Sequence, residues 1–154
     1  MSIKHYKAVF GSPVMQLMPY AWCDLIENGY IDEYCRPFEY DEEAFVYTVG
    51  GQANSVVGFI TFKDYAHVDY TNVIEVGIGW IKKDFRKKGY YALLYKALRK
   101  EAFKRKKEFI WSSVWDNNTT MIRHALSQGR KIRYIGIEDR LYTTDDMTVL
   151  PPKS

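Results

Sequence analysis

This sequence predicts an α/β or α+β sandwich, with helices packed on a mixed sheet. Three observations carry that expectation. A length of 154 residues suits one domain with a single core. A composition of 47% hydrophobic and 27% charged residues excludes a disordered chain. Short runs rich in β-branched and aromatic residues alternate with helical patterns, in the order strand, hairpin, strand, helix, strand, helix, strand, strand. The domain is expected to occupy residues 1–150, with residues 151–154 (PPKS) as a frayed tail.

The elements follow in order. Residues 6–10 read as a short strand, and residues 11–13 (GSP) as a turn. Residues 14–35 read as one or two helices interrupted near Asn28 and Gly29, and residues 36–43 as an acidic loop. Residues 44–49 (AFVYTV) and 56–62 (VVGFITF) form a hairpin about the turn at residues 50–55. Residues 73–81 (VIEVGIGWI) are the next strand, where Gly77 and Gly79 signal a bulge or a close backbone approach. A helix is expected over residues 90–106, burying Tyr91, Leu94, Tyr95, Leu98 and Ala102 as one stripe. Residues 108–115 (EFIWSSVW) are a strand. Asp116, Asn117 and Asn118 offer N-caps for a helix over residues 119–128, which Gly129 ends. Residues 132–137 and 140–149 are the last two strands.

Several function classes drop out. The longest apolar runs are a handful of residues, too short to span a bilayer. The N-terminus (MSIKHYKAVFGSP) lacks the apolar stretch of a signal peptide. Cys23 and Cys35 make no disulfide scaffold and have no zinc-ligand spacing around them, so a reducing cytoplasm and no metal are expected. His67 and Asp69 supply too few ligands for a metal. Neither a phosphate-binding G-x-x-x-x-G-K-[ST] loop nor a G-x-G-x-x-G dinucleotide fingerprint occurs.

The net charge of +3 hides an asymmetry. Residues 82–107 hold twelve Lys/Arg against Asp84 and Glu101, a block of +10, which leaves −7 for the remainder. Residues 24–43 run the other way, with eight acids and Arg36. Charge runs are usually solvated faces. Two sites of opposite sign are the alternative: a basic one for phosphate and an acidic one for a cation. Residues 75–91 (EVGIGWIKKDFRKKGYY) favour the phosphate site. There a strand ends, a cationic loop follows, and Gly89 opens a helix whose first N–H groups lack partners. Lys82, Lys83, Arg86, Lys87 and Lys88 surround it with charged donors, a design suited to a pyrophosphate.

Residues 86–91 (RKKGYY) resemble the R/Q-x-x-G-x-G/A acyl-CoA loop of the GNAT superfamily of N-acetyltransferases. Residues 57–60 (VGFI) resemble that family's third strand. Glu75, eleven residues before Arg86, has the spacing of members that use a strand glutamate as base. Residues 118–121 (NTTM), with Gly129 eleven residues after Asn118, resemble the N-x-x-A…G-F segment. The likeness covers roughly residues 44–137. It departs from the family at Tyr91 (glycine or alanine), Ala125 (the tyrosine acid) and Arg130 (an aromatic).

The resemblance implies a mostly antiparallel sheet of six to seven strands, splayed between the fourth and fifth strands. The pantetheine arm would lie in that splay. Acetyl-CoA would be the co-substrate, held by Ile81, Lys83, Arg86, Lys87, Lys88, Gly89, Tyr90, Tyr91 and Asn118. A backbone N–H at Gly79 or Trp80 would polarise the thioester carbonyl. Glu75 would act as base toward a primary amine, since an ammonium has no lone pair. Tyr142, Tyr134 or His124 would protonate the departing thiolate, with Tyr142 placed ahead of His124. The acidic stretch would favour a cationic acceptor, either a small molecule or a protein lysine or N-terminus.

Two other functions remain open at this point. One is an acyl-CoA-binding module without turnover, which the missing tyrosine allows. The other is a nucleic-acid binder using the basic helix of residues 82–107 with Trp111 and Trp115, although no RNP, KH or helix-turn-helix pattern accompanies them. A homodimer through the last strands also stays open.

Overall fold

The computed structural model describes residues 2–28, 42–50, 55–65, 72–115, 119–135 and 140–146. Its elements are β1 (Ser2–Tyr6), α1 (Val14–Glu27), β2 (Glu43–Thr48), β3 (Val56–Tyr65), β4 (Val73–Ile81), α2 (Tyr90–Lys104), β5 (Phe109–Trp115), α3 (Thr119–Ser127), β6 (Lys131–Ile135) and β7 (Arg140–Asp146). One sheet of seven strands runs β1-β2-β3-β4-β5-β7-β6. Every pairing is antiparallel except β4 with β5, which is parallel. That single parallel pair is joined through α2, as a crossover connection requires.

The alternation of strand side chains sorts two cores onto two faces. On one face Phe45, Ile60, Phe62, Ile74, Val76 and Ile81 pack beneath Tyr91, Leu94, Tyr95, Leu98 and Ala102 of α2. On the other face Ala44, Val46, Phe59 and Trp80 pack against Val14, Met18 and Ala21 of α1. The stripe expected on α2 is therefore the buried one. Arg99 joins it at 8% exposure, so the basic residues do not keep wholly to the outer faces. Its guanidinium lies over the Phe103 ring, which offsets part of the cost of burial.

The first strand lies earlier than expected, at Ser2–Tyr6 rather than residues 6–10. The physical reason is His5. Its ring stacks on Phe45 at 4.9 Å and Phe62 at 5.9 Å, and its Nε2 bonds Glu43 at 2.9 Å, so it serves the core as an aromatic. Val9 is buried outside any strand, its N–H donating to the Glu42 carbonyl at 3.0 Å. α1 begins where the Ser12 hydroxyl accepts from the Val14 N–H and donates to the Val9 carbonyl. Gly129 has a φ of 83° just past α3, the left-handed ending its position suggested. The N-cap candidates 116–118, the tail 151–154 and residues 67–69 lie outside the described residues.

Candidate functional site

The site is built where the parallel pair fails. β4 and β5 register only at Val73↔Phe109, Ile74↔Ile110 and Glu75↔Trp111. β4 then runs on to Ile81 and β5 to Trp115, with β5 holding β7 throughout. The two strands therefore part after Glu75, and among the described residues the β5-facing edge of β4 from Val76 to Ile81 has no strand beside it. On its other edge β4 carries a bulge. Phe62 pairs Val76 and Ile60 pairs Gly79, so Thr61 opposes both Gly77 and Ile78. The Ile78 N–H turns to the Thr61 hydroxyl at 2.8 Å, which pins the bulge in place.

The glycines of this region have separate steric reasons. A side chain on Gly58 would run into the Trp80 carbonyl and Ile81. One on Gly77 would meet Thr61 and Glu42, and one on Gly79 would meet the Tyr91 ring. Tyr91, the departure from the family pattern at the helix start, is thus accommodated by Gly79 across the cleft. Its ring is buried and lies 5.1 Å from that of His124 on α3.

Beyond β4 the chain makes one short 3-10 turn, Lys83–Phe85, and enters α2. Lys87 and Gly89 both take the left-handed conformation, at φ 64° and 82°. Left-handed residues alternating with others in this way can curl backbone N–H groups toward one point, a concavity that suits an anion. Among the described residues the backbone N–H groups of Lys87, Lys88, Gly89, Tyr90 and Tyr91 have no acceptor; the first helical bond is from Leu93 to the Gly89 carbonyl. Lys82, Lys83, Lys87 and Lys88 have no carboxylate partner among the described residues, and Lys88 Nζ lies 5.8 Å over the Phe85 ring. The Lys82 N–H is already used, donating to the Val57 carbonyl at 2.8 Å.

Arg86 is placed differently from its neighbours. Its Nε donates to the Ile81 carbonyl at 2.8 Å and its Nη2 to Asp24 Oδ2 at 2.5 Å. Trp80 Nε1 donates to the same Asp24 oxygen at 3.1 Å. Burial pushes the Asp24 carboxyl up, but hydrogen bonds from Arg86 and Trp80 and the charges of Arg86 and Lys83 outweigh it and hold it below 3.8. Arg86 therefore ties the cationic loop to α1. Asp24 belongs to the acidic stretch 24–43, but its pairing with Arg86 spans 62 residues and has no local sequence signal.

The remaining candidates divide. Gly79, Trp80 and Ile81 line the unpaired stretch of β4, and Glu75 stands half-buried at the last rung, across from Lys63. Tyr134 and Tyr142 pair with each other on β6 and β7, and Tyr142 pairs Ser113 of β5; their side chains lie outside the described residues. Asn118 also lies outside them. His124 is held below 6.5, by burial first and then by the charges of Arg130 and Arg123. At neutral pH it is an uncharged imidazole. Arg130 is buried, its guanidinium 4.4 Å over the Tyr95 ring and its Nη1 donating to Ser112 Oγ at 2.9 Å. It fills the core position that the family gives to an aromatic, and it stacks on a ring as one would. Among the described residues no group of three or more His, Cys, Asp or Glu could hold a metal. No described helix is long and apolar enough to cross a membrane.

Comparisons with known proteins agree with this geometry. A family model described as the acetyltransferase (GNAT) family matches residues 13–129. The chain is similar in fold to an N-acetyltransferase of Staphylococcus aureus Mu50, at 19% identity and a TM-score of 0.69, over 96% of this chain and 99% of that one. It is similar to Salmonella typhimurium yncA, whose structure holds its cofactor acetyl-CoA, at 14% identity and a TM-score of 0.71, over 100% and 99% of the two chains. It also resembles the GNAT domain of S. lividans PAT, at 11% identity and a TM-score of 0.71, over 94% and 89%. At these identities the likeness shows the fold. A search of curated proteins finds no match.

Proposed function

The chain belongs to the GNAT acetyltransferase family, and from that premise we propose that it transfers an acetyl group from acetyl-CoA to a primary amine, by direct attack in a ternary complex. The single observation that carries this reading is the parting of β4 from β5 after Glu75↔Trp111, next to a helix start with unpartnered N–H groups. A thioester arm can lie along the open edge of β4, and its diphosphate on the left-handed turns at Lys87 and Gly89.

Each residue then has a task. Lys83, Lys87 and Lys88 and the N–H groups from Lys87 to Tyr91 hold the diphosphate. Arg86 spends two of its donors on Asp24 and Ile81, so it shapes the loop and adds charge at its edge. Of the N–H groups of Gly79 and Trp80, that of Gly79 faces the open edge, since Lys82 and with it Trp80 donate toward β3. It polarises the thioester carbonyl, where one such donor is worth about 3 kcal/mol. The amine enters from the α1 face. A carboxylate there takes its proton, and the family resemblance points to Glu75. Tyr142 or Tyr134 protonates the thiolate. His124 ranks behind them, since burial and the charges of Arg130 and Arg123 disfavour its protonated form. The acids of α1 and the segment after it favour a cationic acceptor.

Calorimetry with CoA, followed by thiol release from acetyl-CoA with an amine panel, tests the reading. CoA binding with amine-dependent thiol release is the expected result. Binding without release from any amine would favour a binding module. No heat from CoA, with salt-dependent binding of oligonucleotides, would favour the nucleic-acid reading.

A further inference from the structure

A second carboxylate reaches the parting of the strands, from an element distant in sequence. Glu42 directly precedes β2 and is 6% exposed. Glu43, Phe45 and Tyr47 alternate onto the α2 face with Phe62, which puts Glu42 with Ala44 and Val46 on the α1 face. Its backbone is anchored by the bond from Val9. Its side chain reaches across β3 to β4: an atom at the Cβ position of Gly77 would stand 2.5 Å from Glu42 Oε1. Glu42 thus lies in the notch left by Gly77, at the bulge that Thr61 pins through the Ile78 N–H.

Glu75 occupies the same face, since its neighbours Ile74 and Val76 are both in the α2-side core. It lies on the last paired rung, and Gly77 two residues beyond it. At roughly 3.3 Å per residue, the Glu42 carboxylate stands about 7 Å further toward the open segment. A base must reach the amine directly at about 3 Å or through one water. For an amine attacking a carbonyl held by Gly79, Glu42 is the nearer of the two.

We infer that Glu42 is the catalytic base that takes the proton from the acceptor ammonium, an assignment that rests on the acetyltransferase reading above. The ammonium gives one proton to the Glu42 carboxylate, which becomes a carboxylic acid and later returns it to solvent. The neutral nitrogen forms a bond to the thioester carbon, and the C–S bond breaks with its electron pair on sulfur. The second nitrogen proton leaves as the amide forms and ends on the CoA thiolate. The products are the amide, CoA thiol and one released proton.

The test uses Glu42→Gln, Glu42→Asp and Glu75→Gln, with acetyl-CoA and spermidine, Nα-acetyl-lysine amide or kanamycin as amines. Thiol release is followed from pH 6 to 9, beside CoA affinity and Tm. Glu42→Gln is expected to cut kcat at pH 7 about 100-fold, with a rate that climbs steadily toward the amine's own pKa. Its CoA affinity should stay within twofold of wild type. Glu42→Asp, charged but shorter, should fall between, and Glu75→Gln should lose less than tenfold. A wild-type profile in Glu42→Gln overturns the assignment and leaves the reading standing. So does a Glu42→Gln loss in which CoA affinity and Tm fall together while the pH profile keeps its shape. Wild-type protein that binds CoA and acetylates none of these amines overturns the assignment together with the transferase reading. Failure to bind CoA removes the reading itself.

Discussion

The two ends of α2 have the same composition and opposite fates. Both are rich in lysine and arginine, and both contain a lysine in the left-handed conformation, Lys87 before the helix and Lys106 after it. At the C-terminal end the charge is consumed. Arg105 holds both oxygens of Glu43 at 2.7 Å, reaches Glu101 at 3.2 Å and Asp64 at 3.3 Å, and lies over Phe62. Lys107 pairs with Asp64 at 3.2 Å. The turn there is closed as well, because Lys106 donates to the Phe103 carbonyl and Lys107 to the Ala102 carbonyl. At the N-terminal end the N–H groups from Lys87 to Tyr91 have no described acceptor, and the lysines have no described carboxylate. Among the described residues only Arg86 is ion-paired, through Asp24. A charge run therefore says little until its partners are known. One end stabilises the fold, and the other is left open to an anion.

Removing Arg105 should have the largest effect. Its guanidinium sits further above its ordinary value, first through the hydrogen bonds to Glu43, and both partners are mostly shielded from water. Arg105→Ala leaves Glu43 half-buried with His5 as its one described side-chain partner, and should destabilise by about 3 kcal/mol. For a chain of this length that is a fall in Tm of about 6–12 °C. CoA affinity should not change, and calorimetry on the folded variant would check this. Acid probes the same pairs. Burial pushes Glu43 up, but Arg105 and His5 outweigh it and hold its carboxyl below 4.5. Its contribution is complete above that pH and is lost as pH falls through the lower folded value. His124 acts earlier: the unfolded chain takes a proton near 6.5 that the folded imidazole resists. Thermal unfolding from pH 8 to 3 should show Tm declining first below about 6.5 and then again below about 4.5. His124→Phe should lack the first step.

The opposite end should respond in the opposite currency. Lys83→Glu with Lys87→Glu reverses two cations that make no ion pair among the described residues, Lys83 acting on Asp24 only through its charge. Stability should stay within about 0.5 kcal/mol. CoA affinity should fall about 30-fold, or about 2 kcal/mol, and the remaining binding should lose much of its salt dependence. Equal loss of Tm in this variant and in Arg105→Ala would remove the contrast between the two ends.

Local pattern made most of the elements legible. Val73–Ile81 was readable because a β-branched run ends at a cationic loop, and the stripe of α2 because its period is helical. β1 was misplaced because a histidine, counted as polar, packs as an aromatic on Phe45. The cationic loop and helix start proposed for the phosphate were legible because they are contiguous from Gly79 to Tyr91. The contacts proposed for the acceptor side were not. Asp24 meets Arg86, and Glu42 meets Gly77, only through strand register and helix packing, which no local window encodes. Glycine positions carried part of that information. Gly77 and Gly79 read as a bulge or a close backbone approach, and the structure has the bulge opposite Thr61 together with side chains packed close, Glu42 at Gly77 and Tyr91 at Gly79.

The finest test compares the two left-handed lysines. An L-residue in that region bears a cost of order 1 kcal/mol that glycine escapes, partly offset by the greater freedom of glycine in the unfolded chain. Lys106→Gly should therefore raise stability by about 0.5 kcal/mol and leave CoA affinity untouched, since the closed turn keeps its two bonds. Lys87→Gly should bring a similar gain, read as a Tm higher by about 1–2 °C, because its φ of 64° is of the same kind. Its effect on CoA decides what the turn contributes. If side-chain charge holds the diphosphate, affinity falls severalfold despite the gain in stability. If the curled N–H groups hold it, affinity is kept, because glycine preserves the turn and removes only the cation. A Lys87→Gly protein that is less stable than wild type would show that the loop is held by its side chain, and that the two ends of α2 differ in more than their partners.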